Sequence, residues 1–387
     1  MLVRAASSLI AGPYTRRVLV TIYPCPTNED RAMTSGQSSA VESSVDALRG
    51  EVTGLDSRSV ESSIDLGDDE LNSFVADGME KCEKLLIREL DQGASFVTDK
   101  VKHLALAGGK RVRPMFALLA SRYGERPGCD DVIKAAIVVE MTHLATLYHD
   151  DVMDEAEKRR GADSANFRWN NSVAILAGDF ILSAASRLMA SLGVKTVKHF
   201  SEAFGDLVTG QMRETIGATS GDEIEHYLNV IHEKTAVLIR SAGFLGAMHA
   251  GTPAPIQQAL ATFGEHLGMV FQIVDDMIDI FSDTSESGKT PGTDLREGVH
   301  TLPMLYAMEG DRKENQRLRE MLRSPLSTDA DVEEALALIA ATDARARTVA
   351  KVEEHADAAL KALEALPDNS TTNALRALLG FTMARVG

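Results

Sequence analysis

Two copies of one acidic pattern, Asp-Asp-x-x-Asp, stand 125 positions apart in the chain: Asp150-Asp151-Val-Met-Asp154 and Asp275-Asp276-Met-Ile-Asp279. Each is embedded in an apolar stretch with helical spacing, MTHLATLYHDDVMD and LGMVFQIVDDMIDIF. At about 100° per residue, the first and last aspartate of each copy share a helix face. Carboxylates crowded on such a face repel one another unless cations lie between them. A single exposed motif would read as a solvated face. Two in apolar surroundings, where an unpaired carboxylate is expensive, point to hard divalent cations. Magnesium suits these ligands, because it takes oxygen donors, keeps several waters and completes its shell with substrate phosphates. The expectation is a metal cage holding a polyanion such as a diphosphate.

Two basic islands offer anion sites. GGKRVRP (108–114) puts Lys110, Arg111 and Arg113 behind two glycines at a predicted helix start, where free N–H groups also favour anions. Arg159 and Arg160 follow Asp154 by five and six residues, close enough to meet phosphate oxygens. The competing assignments are a solvated basic turn for the first island and salt bridges to Glu155 or Glu157 for the second. His143 precedes Asp150 by seven residues, two turns along one face. That position suits a core histidine as well as a ligand.

The elements that must position these groups are helices. From Leu71 onward apolar residues recur with helical spacing between short breaks. Gly108-Gly109 ends one helix, and Pro114 suits the first turn of the next. The stretch 132–153 carries the first acidic motif. GADSANFRWNNS is a loop whose final Asn and Ser can cap the helix VAILAGDFILSAASRLM. Further helices are expected at 195–216, 222–249, 254–283, 299–309, 328–342, 345–365 and 370–385, with a Gly/Pro-rich loop at 284–298. Alternating strand patterns are scarce and aromatics are only 5% of residues. The predicted fold is all-α, one domain over residues 71–387, with the motifs on inner helix ends.

Composition narrows the function further. The 40 basic and 57 acidic residues give a net charge of −17, which argues against a nucleic-acid partner. No apolar run reads as long enough to span a bilayer. Cys25, Cys82 and Cys129 are odd in number, widely spaced and without a CxxC pair, the pattern of reduced thiols in a cytoplasmic protein. Residues 34–70 hold nine serines and few large apolar groups, so disorder or weak helix is expected through residue 70.

Taken together, GGKRVRP, HLATLYHDDVMDEAEKRRG, NNSVAILAGDFIL, EKT (233–235) and VFQIVDDMIDIF followed by GKTPGTDLREG resemble the trans-polyprenyl diphosphate synthase family, in order and approximate spacing. The match covers about residues 75–387 and is most similar to the bacterial long-chain branch that makes quinone side chains. The resemblance implies an isoprenoid synthase type helical bundle around a central cavity. It implies that Lys110, Arg113, His143 and Arg160 hold isopentenyl diphosphate. Asp150, Asp154, Asp275 and Asp279 would coordinate magnesium bridging an allylic diphosphate, which Arg159, Lys234, Thr235, Gln272 and Lys289 would also contact. Asp151, Asp276 and Asp179 would support the site as outer acceptors. Ala145 and Thr146, small where short-chain members carry aromatic plugs, would leave a tunnel open for a long product. The family's lysine before Thr-Leu-Pro is Val299 here, next to His300, which puts one diphosphate contact in doubt. A homodimer is implied as well.

Residues 1–28 contain Arg4, Arg16 and Arg17 and no acid, like a transit peptide. The bacterial character of the core favours the alternative that translation starts at Met33. Three rival functions share some features. A di-iron bundle would use Glu140-x-x-His143 and Glu223-x-x-His226, but explains neither acidic motif. A terpene cyclase would need no second diphosphate site. A non-catalytic partner subunit of a two-component synthase would have lost the aspartates that this chain keeps.

Overall fold

The computed structural model describes residues 65–218, 221–282 and 291–386. The N-terminal extension, with Met33 and Cys25, lies outside the described residues up to residue 64. Order begins sooner than the predicted boundary at 71: Leu66 already belongs to the core, and Asp68 caps the first helix by accepting from the N–H of Leu71 at 2.9 Å.

The chain is helical almost throughout. Its elements are α1 (Asp69–Leu90), α2 (Ser95–Val101), α3 (His103–Leu106), α4 (Val112–Ser121) and α5 (Asp130–Met153). Two-residue strands β1 (Lys158–Arg159) and β2 (Ala162–Asp163) pair antiparallel, ahead of α6 (Ala165–Arg168), α7 (Asn171–Leu192) and α8 (Val194–Ile216). Then come α9 (Glu223–Ile231), a π turn (His232–Ala236), α10 (Val237–Ala250) and α11 (Ala254–Phe281). Helices α12 (Thr293–Glu297), α13 (Leu302–Met308), α14 (Lys313–Met321), α15 (Asp329–Ala340), α16 (Ala344–Leu363) and α17 (Ser370–Met383) complete it, followed by a 3₁₀ turn, Ala384–Val386.

Several expectations needed adjustment. Strand β2 and α6 lie in the segment read as a plain loop, and the cap of α7 is Asn170, one residue earlier than predicted, accepting from Val173. The expected helix 222–249 is interrupted by the π turn. Helix α14 was not foreseen, and α12 lies within the predicted loop 284–298. Helix α7 is also long and apolar enough to cross a membrane by length and composition, which overturns the expectation that no run is. The apolar span contains two charges, Asp179 and Arg187, and 44% of it is buried in the fold.

The aspartate helices are the long members of the bundle. Helix α5 packs against α7, α10 and α4, and α11 packs against α10 and α16. A single apolar core runs from Leu66 to Met383. Its centre includes Phe116 of α4 against Phe263 of α11, ring centroids 5.6 Å apart. Close helix approach there depends on small residues: a Cβ built on Gly246 of α10 would lie 2.2 Å from the carbonyl oxygen of Ala117. Tyr148, fully buried on α5, donates to the carbonyl of Lys100 at 2.5 Å and accepts from the N–H of Leu104 at 3.2 Å. The aspartate helix is thereby tied to the chain that leads into the GGKRVRP loop.

Gly246→Ala is expected to lower stability by about 1–3 kcal/mol, because backbone rather than a flexible side chain must move. Gly205→Ala, with nothing within 4 Å of the added carbon, is the control and should be neutral or slightly stabilising. Denaturant midpoints of the two variants check this; equal losses would contradict the close-approach argument.

Candidate active site

The first motif occupies the C-terminal end of α5. Asp151 is fully buried and accepts from Arg159 Nε at 2.6 Å, while its second oxygen has no hydrogen-bond partner. Asp154 lies just past the last helical residue and is exposed. Asp150 is half-buried, and burial pushes its carboxyl up to about 6; Lys234 opposes that rise and Asp154 adds to it. Lys234, on the π turn, is itself held by Glu214 of α8 at 2.5 Å.

The second motif lies within α11. Asp276 is buried, accepting from the Tyr227 hydroxyl and, at 2.8 Å, from Gln272 Nε2. Gln272 in turn accepts from the Thr235 hydroxyl at 3.0 Å. Burial pushes Asp276 up to about 7 despite these donors. Asp279 accepts from the N–H groups of Thr293 at 3.1 Å and Asp294 at 3.0 Å, so it caps α12 and folds that helix back over the motif. Asp275 accepts from Arg385 Nη2 at 3.0 Å.

Glu297, at the end of α12, shows that the two motifs face one region. Burial raises its pKa first, and both Asp154 of the first motif and Asp279 of the second raise it further. Asp294 is pushed up to about 8 by burial and then by Asp276 and Asp279. These are oxygen donors crowded past what water would tolerate, which fits a hard divalent cation. Among the described residues no three His, Cys, Asp or Glu side chains come together closely enough to hold a metal by themselves. Waters and ligand oxygens must supply the rest of the shell.

The basic islands separate into one structural arginine and an anion pocket. Arg111 is buried with a left-handed backbone, φ 49°, and bonds Glu83 at 2.6 Å, Glu140 at 2.9 Å and the carbonyl of Ala105 at 2.9 Å. Three contacts hold that uncommon conformation. Glu140 is thereby consumed, which removes it as a di-iron ligand. Arg160, also left-handed at φ 56°, lies across the loop and donates to the carbonyls of Leu104, at 3.1 Å, and Gly108. Gly109 must be glycine: its φ is 143°, and a Cβ there would stand 2.9 Å from the Arg160 guanidinium. Arg113 is half-buried with its Nε unpartnered, and His143 stands near both arginines. Burial first, and then Arg113 and Arg160, hold the His143 imidazole well below its usual range. Lys110 is exposed at the loop's edge. Arg159 bonds Asp151 and not Glu155 or Glu157. Arg113 and Arg160 make no salt bridge to a carboxylate, which is what an anion held without a metal requires.

Comparison with known proteins agrees with this geometry. The polyprenyl synthetase family matches residues 95–339. The chain is 48% identical to nonaprenyl diphosphate synthase of Mycobacterium tuberculosis, over 84% of this chain and 97% of that protein. The chain belongs to the polyprenyl synthetase family. Component 2 of heptaprenyl diphosphate synthase from Geobacillus stearothermophilus is 34% identical over 79% of this chain and 95% of its own length. Among solved structures, geranylgeranyl pyrophosphate synthase of Corynebacterium glutamicum, complexed with calcium and isoprenyl diphosphate, superposes with a TM-score of 0.77 at 56% identity, covering 83% of this chain and 99% of that one. The all-α fold is that of the isoprenyl synthases, and the chain is an enzyme of the prenyltransferase type.

Other residues highlighted in the sequence fall around this synthase site or away from it. Ala145 has no accessible surface and lies about 140° around α5 from Asp150, on a face with Met141 and Tyr148. Thr146 lies about 40° from Asp150 and is half-buried, so of the pair it shares the aspartate face. Asp179 is exposed beside His149, 3.6 Å away, and touches neither motif. His300 Nε2 donates to the carbonyl of Leu322 at 2.9 Å, and the ring lines a separate cavity of about 560 Å³ with Arg319 and Arg323. It does not stand in for the family's lysine. Lys289 lies outside the described residues. Sequence reasoning missed Glu214, Tyr227, Asp294, Glu297 and Arg385. Asp294 and Glu297 stood in the quoted DLREG; the others carry no local signal.

A raised carboxyl pKa has a measurable sign. Folded Asp276 holds its proton up to about 7, against about 3.9 in the unfolded chain, so the metal-free fold loses stability as pH rises through that window. Asp276→Asn keeps the Tyr227 bond and removes the titration. In chelator, its melting temperature relative to the parent should rise by several degrees between pH 5 and pH 8; a pH-independent difference would refute the assignment.

Proposed function

We propose that this synthase condenses isopentenyl diphosphate with an allylic diphosphate, repeatedly, to make a long-chain polyprenyl diphosphate of the kind used for quinone side chains. One observation supports the reading: a carboxylate cluster and a guanidinium–imidazole cluster of opposite character adjoin along α5 and the Arg159–Arg160 segment. The aspartate motifs suit a diphosphate held through divalent cations, and the Arg113, Arg160 and His143 pocket suits one held without them.

Asp150, Asp154, Asp275 and Asp279 would hold magnesium, which when bound supplies positive charge that offsets the charge developing on a departing diphosphate. Asp151 and Asp276 steady these ligands through Arg159 on one side and Tyr227 and Gln272 on the other. Lys234, Thr235, Gln272 and Arg159 would contact the allylic diphosphate, as the family resemblance also implies for Lys289. Lys110, Arg113, Arg160 and neutral His143 orient isopentenyl diphosphate. In the reaction the allylic C–O bond breaks and the diphosphate leaves with the electron pair. The alkene of isopentenyl diphosphate attacks the resulting carbocation, and a proton is lost to the released diphosphate. Apolar helical walls keep water from the cation.

The small side chain of Thr146, on the aspartate face, supports a long product, as does the likeness to a nonaprenyl synthase. The 56% likeness to a geranylgeranyl synthase structure favours a shorter product as the second reading. Both aspartate motifs are intact, which favours a catalytic chain over a partner subunit or a cyclase. The exposed face of α7 and α8 supports a homodimer: Ile175 and Leu176 on α7 and Val208, Met212 and Ile216 on α8 are 40–65% exposed, and the last three recur every four residues on one face. Free thiols at Cys82 and Cys129 fit a cytoplasmic enzyme.

Purified chain with magnesium and farnesyl or geranylgeranyl diphosphate should incorporate labelled isopentenyl diphosphate alone, and a chelator should abolish this. Asp150→Ala should lower kcat/KM by about a hundredfold or more. Absence of incorporation by the parent protein would overturn the reading in favour of a partner subunit or cyclase. Thr146→Phe should shorten the products on chromatographic sizing after dephosphorylation; an unchanged distribution would remove Thr146 as a chain-length residue.

A further inference from the structure

The C-terminal end of the fold reaches the second aspartate motif. After α17, the 3₁₀ turn Ala384–Val386 lies against α11, and Arg385 extends along that helix. Its guanidinium carbon stands 5.6 Å from the Phe271 ring centroid, and its Nη2 donates to Asp275 Oδ1 at 3.0 Å. Phe271 and Asp275 are four residues apart, so one turn of α11 provides both contacts. The fit is incomplete: Arg385 Nη1 is buried and has no hydrogen-bond partner. A guanidinium with one satisfied nitrogen and one orphaned nitrogen is held less firmly than a fully bonded one such as Arg111.

Asp275 is one of the four carboxylates placed to hold a divalent cation. A guanidinium 3.0 Å from Oδ1 already uses that oxygen, and a divalent cation brought to the same oxygen would repel it. We propose that Arg385 is a resident counter-cation of the second aspartate motif: it pairs with Asp275 while no metal is bound and gives that oxygen up when a metal–diphosphate complex arrives, so the C-terminal turn undocks as the site fills. The inference rests on the proposed role of Asp275 as a metal ligand. It adds an assignment for the C-terminus: metal occupancy is linked to the docking of the last turn, and the motif never faces the fold as an uncompensated charge.

Hydrogen exchange and calorimetry with magnesium chloride and inorganic pyrophosphate as probe test this on the full chain. In the parent, binding should speed exchange of a peptide spanning 381–387 several-fold. Arg385→Gln should show fast exchange there with or without the probe and should bind magnesium pyrophosphate about threefold to tenfold more tightly, because the competing cation is gone. Arg385→Lys, which keeps the charge, should stay nearer the parent. If the parent binds the probe and exchange at 381–387 is unchanged or slower, or if Arg385→Gln binds more weakly, the counter-cation role is overturned and Arg385 is a fixed structural or ligand contact. If calorimetry detects no binding by the parent, the reading of the aspartates as a metal site fails first, and the proposal falls with it.

Discussion

The structure is organised around a repulsion. Six aspartates stand at the ends of two buried helices, and each would prefer water or a cation to its neighbours. The surrounding residues manage that charge one carboxylate at a time. Arg159 answers Asp151, Tyr227 and Gln272 answer Asp276, two backbone N–H groups answer Asp279, and Arg385 answers Asp275. Asp150 and Asp154 have Lys234 nearby but no side-chain hydrogen bond of this kind among the described residues, and Asp150 retains its proton to about 6. The fold therefore keeps the site close to electrically tolerable without a ligand, while leaving oxygens that a cation and a phosphate can claim.

The same logic explains why the two diphosphate positions differ. Where arginine meets carboxylate inside the fold, as in Arg111 with Glu83 and Glu140, the charge is spent on architecture. Arg113 and Arg160 lack such partners and bond only backbone or nothing. An anion can therefore be held there directly, whereas at the aspartates it needs a cation in between. Sorting arginines by what they already hold separates scaffold from site more sharply than position in the sequence does.

Much of this was legible in the sequence because the acidic motifs, the glycine-basic loop and the helical periodicity are all local patterns. The family resemblance rested on the same segments. What could not be read was contact between distant segments. Nothing in KRVR distinguishes Arg111, which is locked to Glu140 twenty-nine residues away, from Arg113, which is not. Arg385 meets Asp275 across 110 positions, and Tyr227 meets Asp276 across 49, with no spacing rule to reveal either. Helix α7 was misjudged for a different reason. Its apolar stretch was read simply as a helix, yet its two charges still leave a run of membrane length by composition.

The π turn at His232–Ala236 has a further consequence for phase. Tyr227 and Thr235 both reach α11, the first at Asp276 and the second at Gln272. Eight positions along a regular helix are about 80° apart and would aim the two side chains in different directions. A π turn amounts to one extra residue in the helix, so the effective spacing is about seven, and the two fall within about 20° of one face. The inserted residue works as a vernier: a single-residue change in length, which a surface loop would absorb unnoticed, sets whether two distant helix positions converge on one buried carboxylate.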